Sequence, residues 1–286
     1  MIIDIIAPGY GSKKEDIAAA ERVVKKLGFI PRIPKDIFKA HPLHSHEDDY
    51  RLEHLIKALT AKDSQAIWCF KGGYGTAKLI PMLAKLKKPA KPKMLIGFSD
   101  ITALHLFLNQ KWGWPTLHAP VLWQLIHGKV DASSAEKVKA FLLGKHAPKF
   151  ALKPMNEAAK NYSGSGKIIG GNLALLQTSI GTMWQAKPKG KFLFIEEVDE
   201  HAYRVDRMLN HLKQAGLFTE VKGVLLGDFT YKTLPDEVKK IDALLKEGAV
   251  DFPAPVFRLA GIGHGDINDP LVLGAKADIR KNMLTL

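Results

Sequence analysis

With a single cysteine, Cys69, among its 286 residues, the chain cannot form an intramolecular disulfide. Nothing in it therefore calls for an oxidising compartment. Cys69 sits in the apolar run Ala66-Ile67-Trp68-Cys69-Phe70, where a thiol reads as a buried strand residue; a reactive one needs an open, electropositive setting. No stretch reaches the roughly 18 apolar residues of a membrane span. The opening Met1-Ile2-Ile3-Asp4-Ile5-Ile6-Ala7-Pro8-Gly9 has no basic n-region, and Asp4 and Pro8 break its apolar run too early for a secretory signal. These absences predict a soluble protein with no membrane partner, cytoplasmic by default. Internal repeats and low-complexity tracts are also missing.

Acidic residues are in the minority, 29 against 42 Lys and Arg, for a net charge of +13. Such a balance can serve nucleic acid, an anionic surface or an acidic small substrate. The densest basic run, Lys85 to Lys93, has no aromatic stacker and is broken by Pro89 and Pro92. It reads as a solvated helix end and loop. No helix-turn-helix, zinc-finger or RNA-binding motif accompanies it, so nucleic acid is not the expected partner. With 46% hydrophobic and 25% charged residues the composition is that of an ordinary globular protein, long enough for one large or two ordinary domains.

In the first half, strands alternate with helices. Ile2 to Ala7 is a short apolar run, followed by a helical stretch from about Asp16 to Leu27 that stops at Gly28. Leu52, Leu55, Ile56 and Leu59 mark one face of a helix over 49–60. The runs 66–70 and 94–97 read as strands covered on both faces. Leu79, Ile80 and Leu83 mark a helix between them, and Ile101, Leu104 and Leu108 the next. This alternation predicts an α/β fold with a parallel sheet. Residues 144–166, rich in Lys, Pro, Gly and Ser without a sustained period, read as a linker. The domains expected are therefore 1–143 and 167–286. The second contains strands at 167–170, 192–196, 223–226 and 271–273, and a helix carrying Val205, Met208, Leu209 and Leu212 on one face.

Four short segments could carry chemistry. In Gly97-Phe98-Ser99-Asp100-Ile101 an apolar strand runs through Gly-x-Ser directly into a helix. A serine at such a turn exposes its hydroxyl at the carboxyl edge of the sheet, beside helix N–H groups able to hold an oxyanion. Ile101 stands where the full Gly-x-Ser-x-Gly motif has its second glycine, and taken alone Ser99-Asp100 is a plain N-cap. Lys71-Gly72-Gly73-Tyr74-Gly75-Thr76 follows a strand and allows close backbone approach, with a phosphate cradle and an oxyanion loop as competing readings. Phe192-Leu193-Phe194-Ile195-Glu196-Glu197 ends a strand on two carboxylates, one of which can orient a histidine. Strand alternation favours one inward carboxylate; Glu196 is preferred, with Glu197 in reserve. Gly263-His264-Gly265-Asp266 places a histidine on a loop too rich in glycine to be core. His41, His44 and His46 match no metal motif and read as a polar loop; His118 follows a short strand and is a candidate for the cleft wall.

Taken in order, Ile6-Ala7-Pro8, Arg51, Gly72-Gly73-Tyr74-Gly75, Gly97-Phe98-Ser99-Asp100, Gly170-Gly171-Asn172-Leu173, Ile195-Glu196-Glu197, Tyr203-Arg204-Val205-Asp206-Arg207 and Gly263-His264 span nearly the whole chain. In that order they resemble the serine LD-carboxypeptidases, or muramoyl-tetrapeptide carboxypeptidases, and their relatives that confer immunity to microcin C. The resemblance implies an N-terminal α/β domain with the nucleophile Ser99 and a C-terminal, partly β-barrel domain with Glu196 and His264. It also implies a homodimer, no metal and no cofactor. The activity implied is removal of the terminal D-alanine from a murein tetrapeptide in cell-wall recycling. Its oxyanion hole would use the N–H groups of Asp100 and of Gly73 or Gly72; Gly72, Tyr74, His118 and Arg204 would contact substrate. Lys71 departs from the family's usual arginine, and His118-Ala119-Pro120 from its His-Gly-Pro or Ser-Gly-Pro. Two alternatives remain: a microcin-immunity-type hydrolase of peptidyl or aminoacyl nucleotides, and a non-enzymatic basic adaptor with a decayed site.

Overall fold

Continuous apolar runs bounded by glycine and proline suit strands that are covered on both faces, and the first half of the chain builds its sheet from them. The computed structural model describes residues 1–145 and 147–286. Strands β1 (Ile2–Ile6), β2 (Ile30–Arg32), β3 (Ser64–Cys69), β4 (Met94–Gly97) and β5 (Thr116–His118) lie in the order β5-β4-β3-β1-β2. All are parallel. Helix Lys14–Lys26 joins β1 to β2, helix Asp48–Thr60 joins β2 to β3, and helix Thr102–Phe107 joins β4 to β5. The expected strand–helix alternation is thus present, and Cys69 is fully buried in β3.

The basic run 85–93 divides. Lys85, Lys87, Lys88 and Lys91 are exposed, but Lys93 is buried. Its ammonium donates to Ala58 O at 2.6 Å and to the Ser64 hydroxyl, and lies 3.6 Å from Asp4. Those acceptors explain why one lysine of the run leaves solvent.

The second sheet has eight strands. β6 (Lys149–Ala151), β7 (Lys153–Pro154), β8 (Gly164–Asn172), β9 (Phe192–Val198), β10 (Gly223–Thr230) and β11 (Val256–Arg258) belong to it. β12 (Leu271–Leu273) leaves it, and β13 (Lys276–Arg280) and β14 (Met283–Thr285) return. The order is β6-β14-β13-β8-β9-β10-β11-β7, parallel from β8 to β11 and antiparallel on both flanks. Its two edge strands, β6 and β7, are separated in the chain only by Leu152, which is buried. With one residue between them the two edges follow end to end along one stretch of chain, β6 on β14 and β7 on β11, and the sheet rolls into a nearly closed barrel. Phe192, Phe194, Phe257, Ile279 and Leu284 form part of the apolar cluster within it. The segment 144–166, read as a linker, contains β6, β7, a helical turn at Glu157–Lys160 and the start of β8.

β12 ties the two sheets together. It pairs antiparallel with β5 at the edge of the first sheet, and the residues that follow bond to the second. Gly274 N–H donates to Ile168 O at 2.7 Å, and Ala275 O accepts from Ile168 N–H at 3.3 Å. Among the described residues no helix is long and apolar enough to cross a membrane.

Candidate active site

Ser99 stands where β4 turns into the 3-10 turn Ser99–Ile101 and then helix Thr102–Phe107. Its φ of 64° is left-handed, a conformation non-glycine residues avoid unless their surroundings hold it. Two groups fix the strand end beneath it: Gly97 O accepts from His105 Nε2 at 2.9 Å and from Ala119 N–H at 3.2 Å. The following carboxylate is tied to the glycine loop, since Asp100 Oδ2 accepts from Thr76 N–H at 2.9 Å and from the Thr76 hydroxyl. Burial pushes the Asp100 carboxyl up, against those two hydrogen bonds.

The Gly72-Gly73-Tyr74-Gly75 loop passes directly over this turn. A Cβ at Gly72 would lie 3.0 Å from Ser99 Cβ and 3.3 Å from its Oγ, so the bare backbone is what allows the approach. Gly72 O accepts from Tyr10 N–H at 2.8 Å. Arg51, fully buried, donates to Pro8 O and, at 3.1 Å, to Gly75 O, with Asp48 as its ion-pair partner. This guanidinium fastens the loop to the segment after β1. Composition gives no reason to single it out; the signal is a charged residue beside Leu52 and Leu55 on an otherwise apolar helix face. Tyr74 is half exposed, its ring 5.3 Å from that of His44.

Glu196 is fully buried in β9, and the loop between β11 and β12 brings His264 to it. His264 Nδ1 meets Glu196 Oε2 at 2.7 Å. Gly263 makes this possible: its φ is 140°, and a Cβ there would sit 3.2 Å from Glu196 Oε2 and 3.3 Å from Asp228 O. The loop is held by Asp228 N–H donating to Ile262 O at 2.9 Å and Gly263 N–H donating to Asn268 Oδ1 at 3.2 Å. Burial pushes the Glu196 carboxyl up, but the neighbouring His264 and His118 imidazoles outweigh it and hold the group below the usual carboxylate range. The His264 ring lies 4.4 Å from that of Phe98, the residue before Ser99. Hydroxyl-bearing turn, imidazole and carboxylate therefore meet in one region, although Ser99 Oγ makes no hydrogen bond among the described residues.

Glu197 also points into protein, contrary to the expectation of one inward carboxylate. β9 is an interior strand covered on both faces, so alternation sends the two glutamates to opposite covered sides. Glu197 accepts from Asn172 Nδ2 at 2.8 Å, Ala174 N–H at 2.8 Å and Val198 N–H at 2.9 Å. Burial and the Glu196 charge push its carboxyl up to about 7 against those donors. Its contacts are those of a brace for the helix Leu173–Ser179.

Other candidates fall farther out. His118 is fully buried, with Nε2 3.9 Å from Glu196 Oε1, which places it behind the carboxylate rather than on an open wall. Arg204 is exposed on helix Ala202–Gln214 and meets Tyr203 Oη at 3.3 Å and Glu200 at 3.5 Å. Lys71 is partly buried, 4.5 Å above the Trp123 ring, and that burial lowers its ammonium. In the histidine-rich loop, His41 Nδ1 accepts from Leu43 and His44 N–H at 3.1 and 3.0 Å, which is loop-closing geometry.

Comparison with known proteins places this architecture in a family. Residues 3–119 match the model of the LD-carboxypeptidase N-terminal domain, and residues 165–279 that of its C-terminal domain. A Rickettsia conorii protein named "Putative carboxypeptidase" is 38% identical over 98% of this chain and 88% of its own length. A Bacillus subtilis protein named "Probable murein peptide carboxypeptidase" is 30% identical over 96% of this chain and 87% of its own. The crystal structure of a muramoyltetrapeptide carboxypeptidase from Oxalobacter formigenes superposes with a TM-score of 0.84 at 27% identity, covering 100% of this chain and 97% of that one.

Proposed function

The chain belongs to the LD-carboxypeptidase family, and we propose that it releases the terminal D-alanine of murein tetrapeptides through an acyl-enzyme on Ser99. The observation that carries this reading is the 2.7 Å contact of His264 Nδ1 with a buried Glu196 beside a left-handed serine. A carboxylate at Nδ1 fixes the proton there. Nε2 is then the free base.

In this mechanism Ser99 Oγ attacks the amide carbonyl between the diamino acid's L-centre and D-alanine, and His264 Nε2 takes the hydroxyl proton. Glu196 balances the imidazolium. The N–H groups of Asp100 and of Gly73 or Gly72 bind the oxyanion, each donor being worth about 3 kcal/mol in comparable sites. His264 protonates the leaving amine, and water then frees the acyl group. Gly72, Tyr74 and Arg204 are the proposed substrate contacts, with Arg204 suited to a carboxylate through paired hydrogen bonds. No metal or cofactor enters these steps. We also propose a homodimer, a cytoplasmic setting and a division into a nucleophile domain (1–143) and a domain carrying Glu196 and His264 (167–286), to whose sheet the intervening segment adds β6 and β7.

Mass spectrometry of a murein tetrapeptide before and after incubation tests the activity. Loss of one alanine is expected with the native protein, and Ser99→Ala is expected to abolish it. Undiminished turnover by that variant would refute the assignment of Ser99. Turnover of an aminoacyl sulfamoyl adenosine but not of the tetrapeptide would move the substrate to the microcin type.

A further inference from the structure

One imidazole near the site has no part in the mechanism above. His118 closes β5, opposite Gly97 in β4 and Leu271 in β12, and no part of it reaches solvent. Phe98 and Phe194 meet its ring edge-on, with centroids 5.5 and 5.1 Å away. Neither of its nitrogens makes a hydrogen bond, and neither does Glu196 Oε1. A buried polar atom without a partner is costly and uncommon. Here two such atoms, His118 Nε2 and Glu196 Oε1, face each other at 3.9 Å, while the other oxygen of the same carboxylate is held by His264.

We propose that His118 is a positioning residue for Glu196: its ring donates the Nε2 proton to Oε1, so that the carboxylate is held from both ends while His264 takes up the serine proton. Closing the gap to a normal hydrogen bond needs a shift of about 1 Å. The remaining polar ring nearby is His105, 6.5 Å away between centroids, and its Nε2 is already committed to Gly97 O. The carbonyl so held precedes Phe98 and Ser99, so the two buried histidines brace the carboxylate and the strand end of the nucleophile turn respectively.

This inference rests on the triad reading, so the test separates the two. The rate of Ser99 phosphonylation by a fluorophosphonate, read by intact mass, is measured alongside kcat and KM for the tetrapeptide. His118→Leu removes the donor at similar volume; His118→Gln places an amide N–H near the Nε2 position. We expect His118→Leu to slow phosphonylation and kcat by about tenfold to a hundredfold, as for loss of a hydrogen bond to a buried charge, with KM unchanged. His118→Gln should recover most of that loss. If the leucine variant does not fold, His118→Asn, too short to reach Oε1, supplies the contrast with glutamine. Native rates in His118→Leu, or a glutamine variant as slow as leucine, would overturn the role of His118, as would a raised KM with native kcat. A native protein that is not labelled at Ser99 brings down the triad and this role together. Labelling without tetrapeptide turnover removes only the substrate, and the variants are then compared by labelling rate.

Discussion

A carboxylate with no exposed surface stays ionised only where cations or donors meet it. Glu196 meets that condition through His264 and His118, which leave its folded value, about 2, below the 4.5 of a free glutamate. The sign follows. The ionised form favours the folded state above pH 4.5, and that contribution disappears as pH falls from 4.5 toward about 2. Urea titrations of the native protein and of Glu196→Gln should therefore differ by on the order of a few kcal/mol at pH 7 and converge across that acid range. A difference independent of pH would mean the carboxylate is not held as described. Ser99, Glu196 and His264 were legible as candidates because each sits at a strand end or on a glycine-rich loop. His118 was legible only as a histidine after a short strand; its full burial depends on β12, which arrives from the far end of the chain.

At the scale of elements, β8 packs against the helix that follows Ser99, where the two sheets come together. Gly171 has a φ of 141°, and a Cβ there would fall on the Thr102 side chain. Thr102 Oγ1 in turn accepts from Asn172 N–H at 3.0 Å, and Asn172 pairs with Glu196 across the ladder. Gly171→Ala should cost about 1–3 kcal/mol of stability from backbone strain, read as a lowered thermal midpoint. It should also slow phosphonylation of Ser99, because the helix that starts at Thr102 is displaced from β9. β1, β3 and β4 and the helices at 14–26, 48–60, 80–83 and 102–107 were readable because their apolar positions are continuous or regularly spaced, whereas β2, three residues with Pro31 at its centre, was not. β6 and β7 were not, since three and two residues are too few to show a period of two. β13 does alternate, Ala277 and Ile279 buried between outward neighbours, and that pattern was available in the sequence.

Across the whole molecule the site is shared. Ser99 follows the first sheet, Glu196 lies in the second, and His264 rides a loop that starts from β11 and ends in β12. Neither half is finished without the other, because β12 closes the edge of a sheet built from the opposite end of the chain. Urea titrations followed by Ser99 phosphonylation and by far-ultraviolet circular dichroism should share one midpoint. Site loss well before the loss of secondary structure would show that the halves part while still folded.

The single-residue step at Leu152 reaches further than the barrel it closes. Because β6 and β7 continue one another, a single short stretch of chain forms both flanks of that sheet. At the far side of the first sheet the outermost strand, β2, has three residues and contains Pro31, which has no N–H to offer a newcomer. A second chain laid along that strand would meet three residues and one missing donor, a poor footing on which to lengthen a ladder.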